Sequence, residues 1–275
     1  MGKQLVARMG NSVQYRSNTP LTDDQIARVA PSVFAAEKHA SRSERYAYIP
    51  TIDVINSLRK EGFQPFMVAQ GRTRIPGKAD FTKHMLRLRH QGQINTGEAQ
   101  EIILINSHDG TSSYQMLAGE FRFVCTNGLV CGETLEDIRI KHSGNVVQEV
   151  VQGAYDVLDG FNLIRDITDE MKSVTLSREE QQIFAESALQ VKYDGQDAPI
   201  APDQLLRVRR LEDRDSSLWT TFNKVQENVI RGGIPGINAN GRRIRTREVQ
   251  AIDTDVKLNR ALWTLAEKMA ELKAA

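Results

Sequence analysis

The feature that most constrains the fold is the segment 45–131, in which apolar side chains recur mostly at every second residue. Alternation of this kind is typical of strands with one buried face. The predicted strands cover 63–70, 83–90, 101–106 and 113–125. Asp109-Gly110 lies between the last two runs and is a favoured pair in tight turns, so these strands are predicted to form a hairpin. Strands that follow one another so closely predict an antiparallel β-meander.

The alternation also assigns faces to the strand predicted over 83–90. Leu86 and Leu88 oppose Lys83, Arg87 and Arg89, so one face of the sheet is predicted to be cationic. The other face needs a cover, and apolar residues at helical spacing over 145–171 predict one long helix that supplies it. The predicted fold class is therefore α+β, an antiparallel β-meander packed on a long helix, with a helical C-terminal region.

Helix and turn signals divide the chain into three predicted parts. These are an N-terminal arm with a lead-in helix (1–44), an α+β core with the meander and the long helix (45–175), and a helical C-terminal region with a basic, glycine-rich loop (176–275).

Local signals place several elements within these parts. The lead-in helix is predicted to start beside Thr22 and to end or kink at Pro31, and Thr51 is predicted to cap a helix that follows a half-buried strand over 45–50. Ser177 and Glu180 have the spacing of a capping box. Two further helices are predicted over 216–231 and 253–272. Glycine, proline and asparagine dominate 232–241 between them, which predicts an irregular loop.

Charge is distributed unevenly along a chain whose formal net charge is only +1. That value argues against a nucleic-acid-binding protein that is basic over its whole surface. The segment 62–97, however, holds six cations against Asp80 alone, and 231–247 holds five arginines and no acidic residue. Such segregation is typical of a site for polyanions, although basic loops are also common as solvated surface.

Aromatic residues beside the first basic segment favour single-stranded nucleic acid as the polyanion. Proteins hold such strands with cations along the phosphates and aromatic rings stacked on bases. Tyr46, Tyr48, Phe63 and Phe66 are the candidate rings, and burial in the core is the competing interpretation. The predicted DNA-binding residues are Arg42, Arg45, Tyr48, Arg72, Arg74, Lys78, Lys83, Arg87, Arg89, Arg242, Arg243, Arg245 and Arg247.

Sequence signatures of catalysis are absent. The chain contains no P-loop, GxGxxG, HExxH, GxSxG or paired CxxC motif, and its five histidines lack ligand spacing. A structural role is favoured even for His84 and His90, which flank the basic strand. Glu133, Glu136 and Asp137 would meet around a metal only by chance. No enzymatic activity, cofactor or metal is predicted.

Cysteine usage and hydropathy favour a cytoplasmic protein without a membrane partner. Cys125 and Cys131 are too few for a disulfide framework, and Asn127-Gly128 between them is a favoured tight-turn pair. The chain has no apolar run near the roughly 20 residues of a membrane span. Its first residues also lack the apolar region of a signal peptide.

Three blocks carry a broad family resemblance: FRFVCTNGLVC, LWTTFNKVQENVIRGG and KLNRALWTLAEKMAEL. Through them nearly the whole chain resembles a phage, prophage and plasmid family catalogued as domain of unknown function nine hundred and thirty-two. The resemblance names no activity, but it implies the context of a mobile genetic element.

A narrower resemblance covers about residues 19–132. Its elements are Leu21 to Gln25, Ser41-Arg42, Tyr48-Ile49, Val54-Ile55-Asn56 and Gly62-Phe63, followed by the meander. This order resembles the annealing core of the Rad-fifty-two superfamily. The resemblance implies a homo-oligomeric ring or filament whose basic groove holds single strands while complements pair, with Arg42 as a DNA contact. The family's basic pair on the long helix has no match in 145–171, so Arg87, Arg89 or the 242–247 cluster would have to replace it.

The sequence thus leads to the hypothesis of a non-enzymatic protein of a mobile element that binds single-stranded DNA and anneals complements without ATP. Its role would lie in recombination and repair, with a host or phage recombination protein as a further partner. Two alternatives remain open. One is a counter-defence or interaction protein that binds a host protein, and the other is a nuclease with an unrecognised site.

Overall fold

A computed structural model describes residues 5–8, 12–44, 46, 48–90, 98–122, 127–131, 138–140 and 146–274. The chain divides into two compact units, each described by itself below. The first unit comprises Met1–Val130, Thr134–Phe161 and Gln250–Ile252, and the second comprises Cys131–Glu133, Asn162–Val249 and Asp253–Ala275.

An antiparallel sheet dominates the first unit. Its strands in the described residues are β1 (Leu5–Arg8), β2 (Ser12–Arg16), β3 (Phe63–Gly71), β4 (His84–His90), β5 (Glu98–Asn106), β6 (Tyr114–Arg122), β7 (Asn127–Val130) and β8 (Ile138–Ile140). Strands β1 to β7 lie side by side in chain order, and β8 also pairs with β6. The predicted antiparallel meander is confirmed, and the residues predicted as an N-terminal arm contribute two further strands to it.

The predictions of a strand over 45–50 and of a turn at Asn127-Gly128 were wrong. Residues 48–50 are irregular instead of a strand, while 45 and 47 lie outside the described residues. Asn127 and Gly128 belong to β7, opposite Arg122 and Phe121, so they do not form the predicted turn. The long β5–β6 connection does contain Gly110 at a φ of +77°, as the Asp109-Gly110 pair indicated.

Three helices of the first unit are α1 (Asp23–Val29), α2 (Thr51–Lys60) and α3 (Val146–Asp159). Thr22 caps α1 in a capping box with Gln25, as its position predicted. Pro50, and not Thr51, is the N-cap of α2. Helix α2 packs against β3, and α3 packs against β5, β6 and β8.

The prediction of one helix over 145–171 was wrong. The helical residues form α3 and a separate α4 (Phe161–Ser173), with Gly160 between them. Glycine costs about 1 kcal/mol relative to alanine inside a helix, which favours an interruption at this residue. Helix α4 belongs to the second unit from Asn162 onwards, whereas α3 belongs to the first.

Helices α5 (Arg178–Tyr193), α6 (Leu218–Arg231) and α7 (Ile252–Ala274) supply most of the second unit. Ser177 and Glu180 form the predicted capping box at the start of α5. Helix α6 is central to the second unit, because every residue from Leu218 to Val229, polar or apolar, is buried. Strands β9 (Pro235–Ile237) and β10 (Arg243–Arg245) form a hairpin between α6 and α7, so the prediction of an irregular loop over 232–241 was wrong.

Candidate nucleic-acid interface

The arginine-rich segment of the second unit folds as the β9–β10 hairpin. Asn238 closes its turn: the side-chain Oδ1 accepts hydrogen bonds from the backbone N–H of Asn240 at 3.1 Å and of Arg242 at 2.9 Å. Gly241 supplies the φ of +72° that the turn needs. The asparagines and glycine that predicted a loop instead form the turn of a short β-hairpin, because these residue types are also favoured in hairpin turns.

One face of the hairpin lies against the rest of the second unit. Gly236 and Ile244 oppose each other on this face, and a Cβ at Gly236 would clash with the carbonyl oxygen of Pro199 and lie 2.7 Å from Ile200 Cγ2. The backbone N–H of Ile237 donates to the Pro199 carbonyl at 2.8 Å. Close backbone contact on one side fixes which residues the hairpin presents on the other.

The outward face presents exposed arginines. Arg243 and Arg245 lie on this face, and Arg242 and Arg247 flank the strand. All four are exposed, and within the described residues none pairs with a carboxylate; Arg245 donates from Nη1 to the Gly233 carbonyl at 2.8 Å. Guanidinium groups that are solvated and unneutralised are suited to phosphate oxygens, which they bind through paired N–H donors.

The β3–β4 connection of the first unit contains the other basic cluster. Arg72 and Arg74 are exposed and pair with no carboxylate among the described residues. Lys78 is half-buried and forms an ion pair with the buried Asp109, with Nζ 3.2 Å from Oδ2. Lys83 is also half-buried, and its backbone carbonyl accepts from the Gly71 N–H. The two arginines are therefore the more exposed cations of this cluster.

Arg42 and Tyr48 are less accessible than the sequence predicted. The Arg42 guanidinium lies against Gly110, where a Cβ would displace it, and its Nε donates to Ser41 Oγ at 3.3 Å. The Tyr48 hydroxyl donates to the Ala35 carbonyl, and burial raises the pKa of Tyr48 to about 12. Arg45 lies outside the described residues.

The prediction that Arg87 and Arg89 are available for DNA was wrong. They are 1% and 2% exposed, and Glu101, which is fully buried, accepts from both. Arg87 also donates to the Leu129 carbonyl at 3.0 Å, and the Arg89 guanidinium lies 3.4 Å from the centre of the Phe121 ring. Burial lowers the pKa of Arg89, against the opposing effect of Glu101. The predicted cationic face is therefore an internal ion-pair cluster.

The aromatic rings predicted to stack on bases are also buried or engaged in contacts within the protein. Phe63 and Phe66 are buried in the core. The Tyr46 hydroxyl donates to the Ser107 carbonyl at 2.8 Å, and the ring of Tyr48 packs on His108 with centroids 5.0 Å apart. Core burial, the competing interpretation of these aromatics, is the correct one for the two phenylalanines.

Sequence patterns missed a buried polar cluster at one end of the first unit. His84 Nε2 lies 2.9 Å from Thr51 Oγ1, which accepts from Asn106 Nδ2 at 3.0 Å, and His84 Nδ1 lies 2.8 Å from Ser32 Oγ. Burial lowers the pKa of His84 to about 3, with the neighbouring His108 as a further cause. His84 thus has the structural role that its sequence context favoured, and it joins α2 to β4 and β5.

The described residues contain neither a cluster that could hold a metal nor a helix that could span a membrane. No group of three or more histidine, cysteine or acidic side chains there has a geometry that could hold a metal ion. Glu133, Glu136 and Asp137 lie outside the described residues. None of the described helices is both long and apolar enough to span a membrane.

Residues 38–263 match the family described as Domain of unknown function (DUF932). The chain belongs to the DUF932 family. Two relatives from Escherichia coli (strain K12), UPF0380 protein YafZ and UPF0380 protein YfjQ, are each 51% identical to it over 266 residues, which is 97% of either chain. No solved structure matches the chain. For this DUF932 chain, the exposed arginines of the hairpin remain the best-defined candidate site.

Proposed function

We propose that this DUF932 protein binds single-stranded DNA and promotes the annealing of complementary strands without ATP. The observation that carries the proposal is the set of four exposed hairpin arginines, Arg242, Arg243, Arg245 and Arg247, which no carboxylate of the described residues neutralises. A fixed ribbon that presents four guanidinium groups within six residues is suited to a chain of phosphates, since phosphate contacts provide most of non-specific DNA affinity.

The exposed arginines of the β3–β4 connection support the same proposal. Arg72 and Arg74 add two solvated cations on the first unit, independently of the hairpin. Two basic surfaces on one chain suit annealing, because strand pairing needs a protein that contacts more than one stretch of DNA at a time. Annealing forms and breaks no covalent bond, so catalytic motifs are not required for it.

The resemblance to the Rad-fifty-two superfamily adds the remaining parts of the proposal. It implies self-assembly of the protein into a ring or filament, with Arg42 beside the strand. A function in recombination and repair within a mobile element, with a recombination protein as partner, follows from the family resemblances, and a cytoplasmic location follows from cysteine usage and hydropathy. In place of the missing basic pair on the long helix, the proposal assigns phosphate binding chiefly to the hairpin.

A strand-pairing assay tests this function. Two complementary oligonucleotides, one with a fluorophore and one with a quencher, are mixed with the protein in buffer that lacks ATP. The wild-type protein should accelerate quenching, and the Arg243→Gln/Arg245→Gln variant should lose most of that acceleration. The control Arg178→Gln/Lys257→Gln removes two exposed cations elsewhere on the same unit and should anneal like wild type.

Two results would count against the proposal. If the complementary strands pair no faster with the protein than without it, an annealing function is excluded. If the wild type and the hairpin variant accelerate pairing equally, the hairpin is excluded as the binding site. Absence of both DNA binding and annealing would favour the alternative of an interaction protein with an acidic partner.

A further inference from the structure

The outward face of the β9–β10 hairpin is half apolar. Register pairs Ile237 with Arg243 and Pro235 with Arg245, so all four residues lie on the same face. Side chains directly opposite each other in an antiparallel pair have Cβ atoms about 5 Å apart. Each outward arginine therefore has an apolar neighbour directly across the ribbon.

Exposure of Ile237 is not a consequence of poor packing around it. Ile237 is 60% exposed, while its backbone N–H is fixed to the Pro199 carbonyl and the adjacent Gly236 is pressed against Ile200. The hairpin is thus anchored through its inner face, and Ile237 is held outward. An aliphatic side chain held in solvent beside unneutralised cations is suited to a ligand with both anionic and apolar parts.

Unstacked nucleotides have this combination. Each nucleotide of a single strand carries one phosphate and one base with an accessible apolar face, whereas bases of a duplex are stacked on their neighbours. Apolar side chains, isoleucine included, contact bases when these are separated from the stack. An acidic protein surface would satisfy the arginines but would give Ile237 no specific partner.

We propose that Ile237, assisted by Pro235, packs against unstacked bases while Arg243 and Arg245 bind the flanking phosphates. This inference rests on the proposed function and deepens it, because it makes the hairpin selective for single strands over duplex. The phenylalanine rings expected to provide base stacking are buried, and the hairpin aliphatics take that role.

The test is the Ile237→Ser variant, measured by fluorescence anisotropy with a labelled thymidine oligonucleotide and with a duplex of equal length. Affinity for the single strand should fall about tenfold, which corresponds to the lower part of the range for one base contact. The salt dependence should stay as in wild type, because no cation is removed. Affinity for the duplex should not change.

Ile183→Ser is a matched control, since Ile183 lies on α5 of the same unit and is 56% exposed. It should bind both DNAs like wild type, and thermal unfolding should show that both variants are folded. A polyglutamate peptide serves as the acidic-protein probe, and its affinity should not depend on Ile237.

The outcomes separate the two proposals. Binding of single strands that depends on Arg243 and Arg245 but is unchanged in Ile237→Ser would overturn the base contact and leave the proposed function intact. If Ile237→Ser weakens the binding of the peptide and of the single strand equally, the base contact is also overturned. No binding of single strands by the wild-type protein would overturn both.

Discussion

Arg89 Nε lies 2.7 Å from Glu101 Oε1, and both side chains are buried in the sheet of the first unit. The second carboxylate oxygen of Glu101 lies 3.0 Å from Arg87 Nη1. Glu101 therefore forms ion pairs with both arginines, and all three side chains are buried. Removal of one member of a buried ion pair leaves a charge without its partner, which is costly.

Glu101→Gln should destabilise the protein by about 3–5 kcal/mol, because both arginines lose their shared carboxylate. The measurement is the free energy of unfolding by urea. Glu271→Gln is the control: its pair with Lys268 spans 2.7 Å but is exposed, so the change should stay below about 1 kcal/mol. A similarly small change in Glu101→Gln would contradict the importance of this cluster.

Stability should depend on pH through His84. Burial holds its pKa at about 3, whereas an unfolded histidine titrates near its ordinary value of 6.5. Between these values the unfolded chain binds the additional proton, so stability falls as the pH decreases from 6.5 towards 3. The slope from this residue approaches about 1.4 kcal/mol per pH unit. His84→Gln should flatten the plot of unfolding free energy against pH between 3 and 6.5. Parallel plots for the variant and the wild type would show that His84 does not cause this pH dependence.

Lys192 should have a pH effect at the alkaline end. Its Nζ donates to the Val229 carbonyl at 2.5 Å, and burial lowers its pKa to about 8 from an ordinary 10.5. The unfolded chain therefore holds more protons between pH 8 and 10.5, and this residue makes stability rise with pH there. Unfolding of Lys192→Met should lack that contribution. If the stability of Lys192→Met rises from pH 8 to 10.5 as much as that of wild type, a contribution from Lys192 is excluded.

Gly236 should be necessary for the position of the hairpin. Alanine there would place a Cβ against the Pro199 carbonyl and so displace β9. Gly236→Ala should weaken single-strand binding while the far-ultraviolet circular dichroism of the helices is retained. Ala239→Ser, in the exposed turn of the hairpin, should leave binding unchanged. Wild-type affinity in Gly236→Ala would show that the hairpin geometry does not determine binding.

Alternation and capping signals predicted the central strands of the first unit and one helix start in each unit, because both depend on neighbours in sequence. The strands around Leu86 and Ile103 and the capping boxes at Thr22 and Ser177 lie where local patterns indicated. Local patterns failed at Gly160, where a continuous apolar stripe concealed a break between two helices that belong to different units.

The buried arginines show why the candidate site was only partly predictable. Arg87 and Arg89 are separated from Glu101 by more than ten residues in sequence, and the register of β4 against β5 brings the three together. A count of local charge therefore treated them as unneutralised. The hairpin arginines were found by the same count, and their exposure depends on Gly236 and Ile244, whose packing has no simple sequence signal.

The most direct test of the central claim is the salt dependence of binding to a labelled thymidine oligonucleotide. For single strands the slope of log affinity against log salt is about −0.7 per phosphate contact, so Arg243→Gln/Arg245→Gln should reduce its magnitude by about 1.4. The Arg178→Gln/Lys257→Gln control should retain the wild-type slope. A hairpin variant with wild-type affinity and slope would contradict the account, and the result that supports it is weaker binding with the shallower slope.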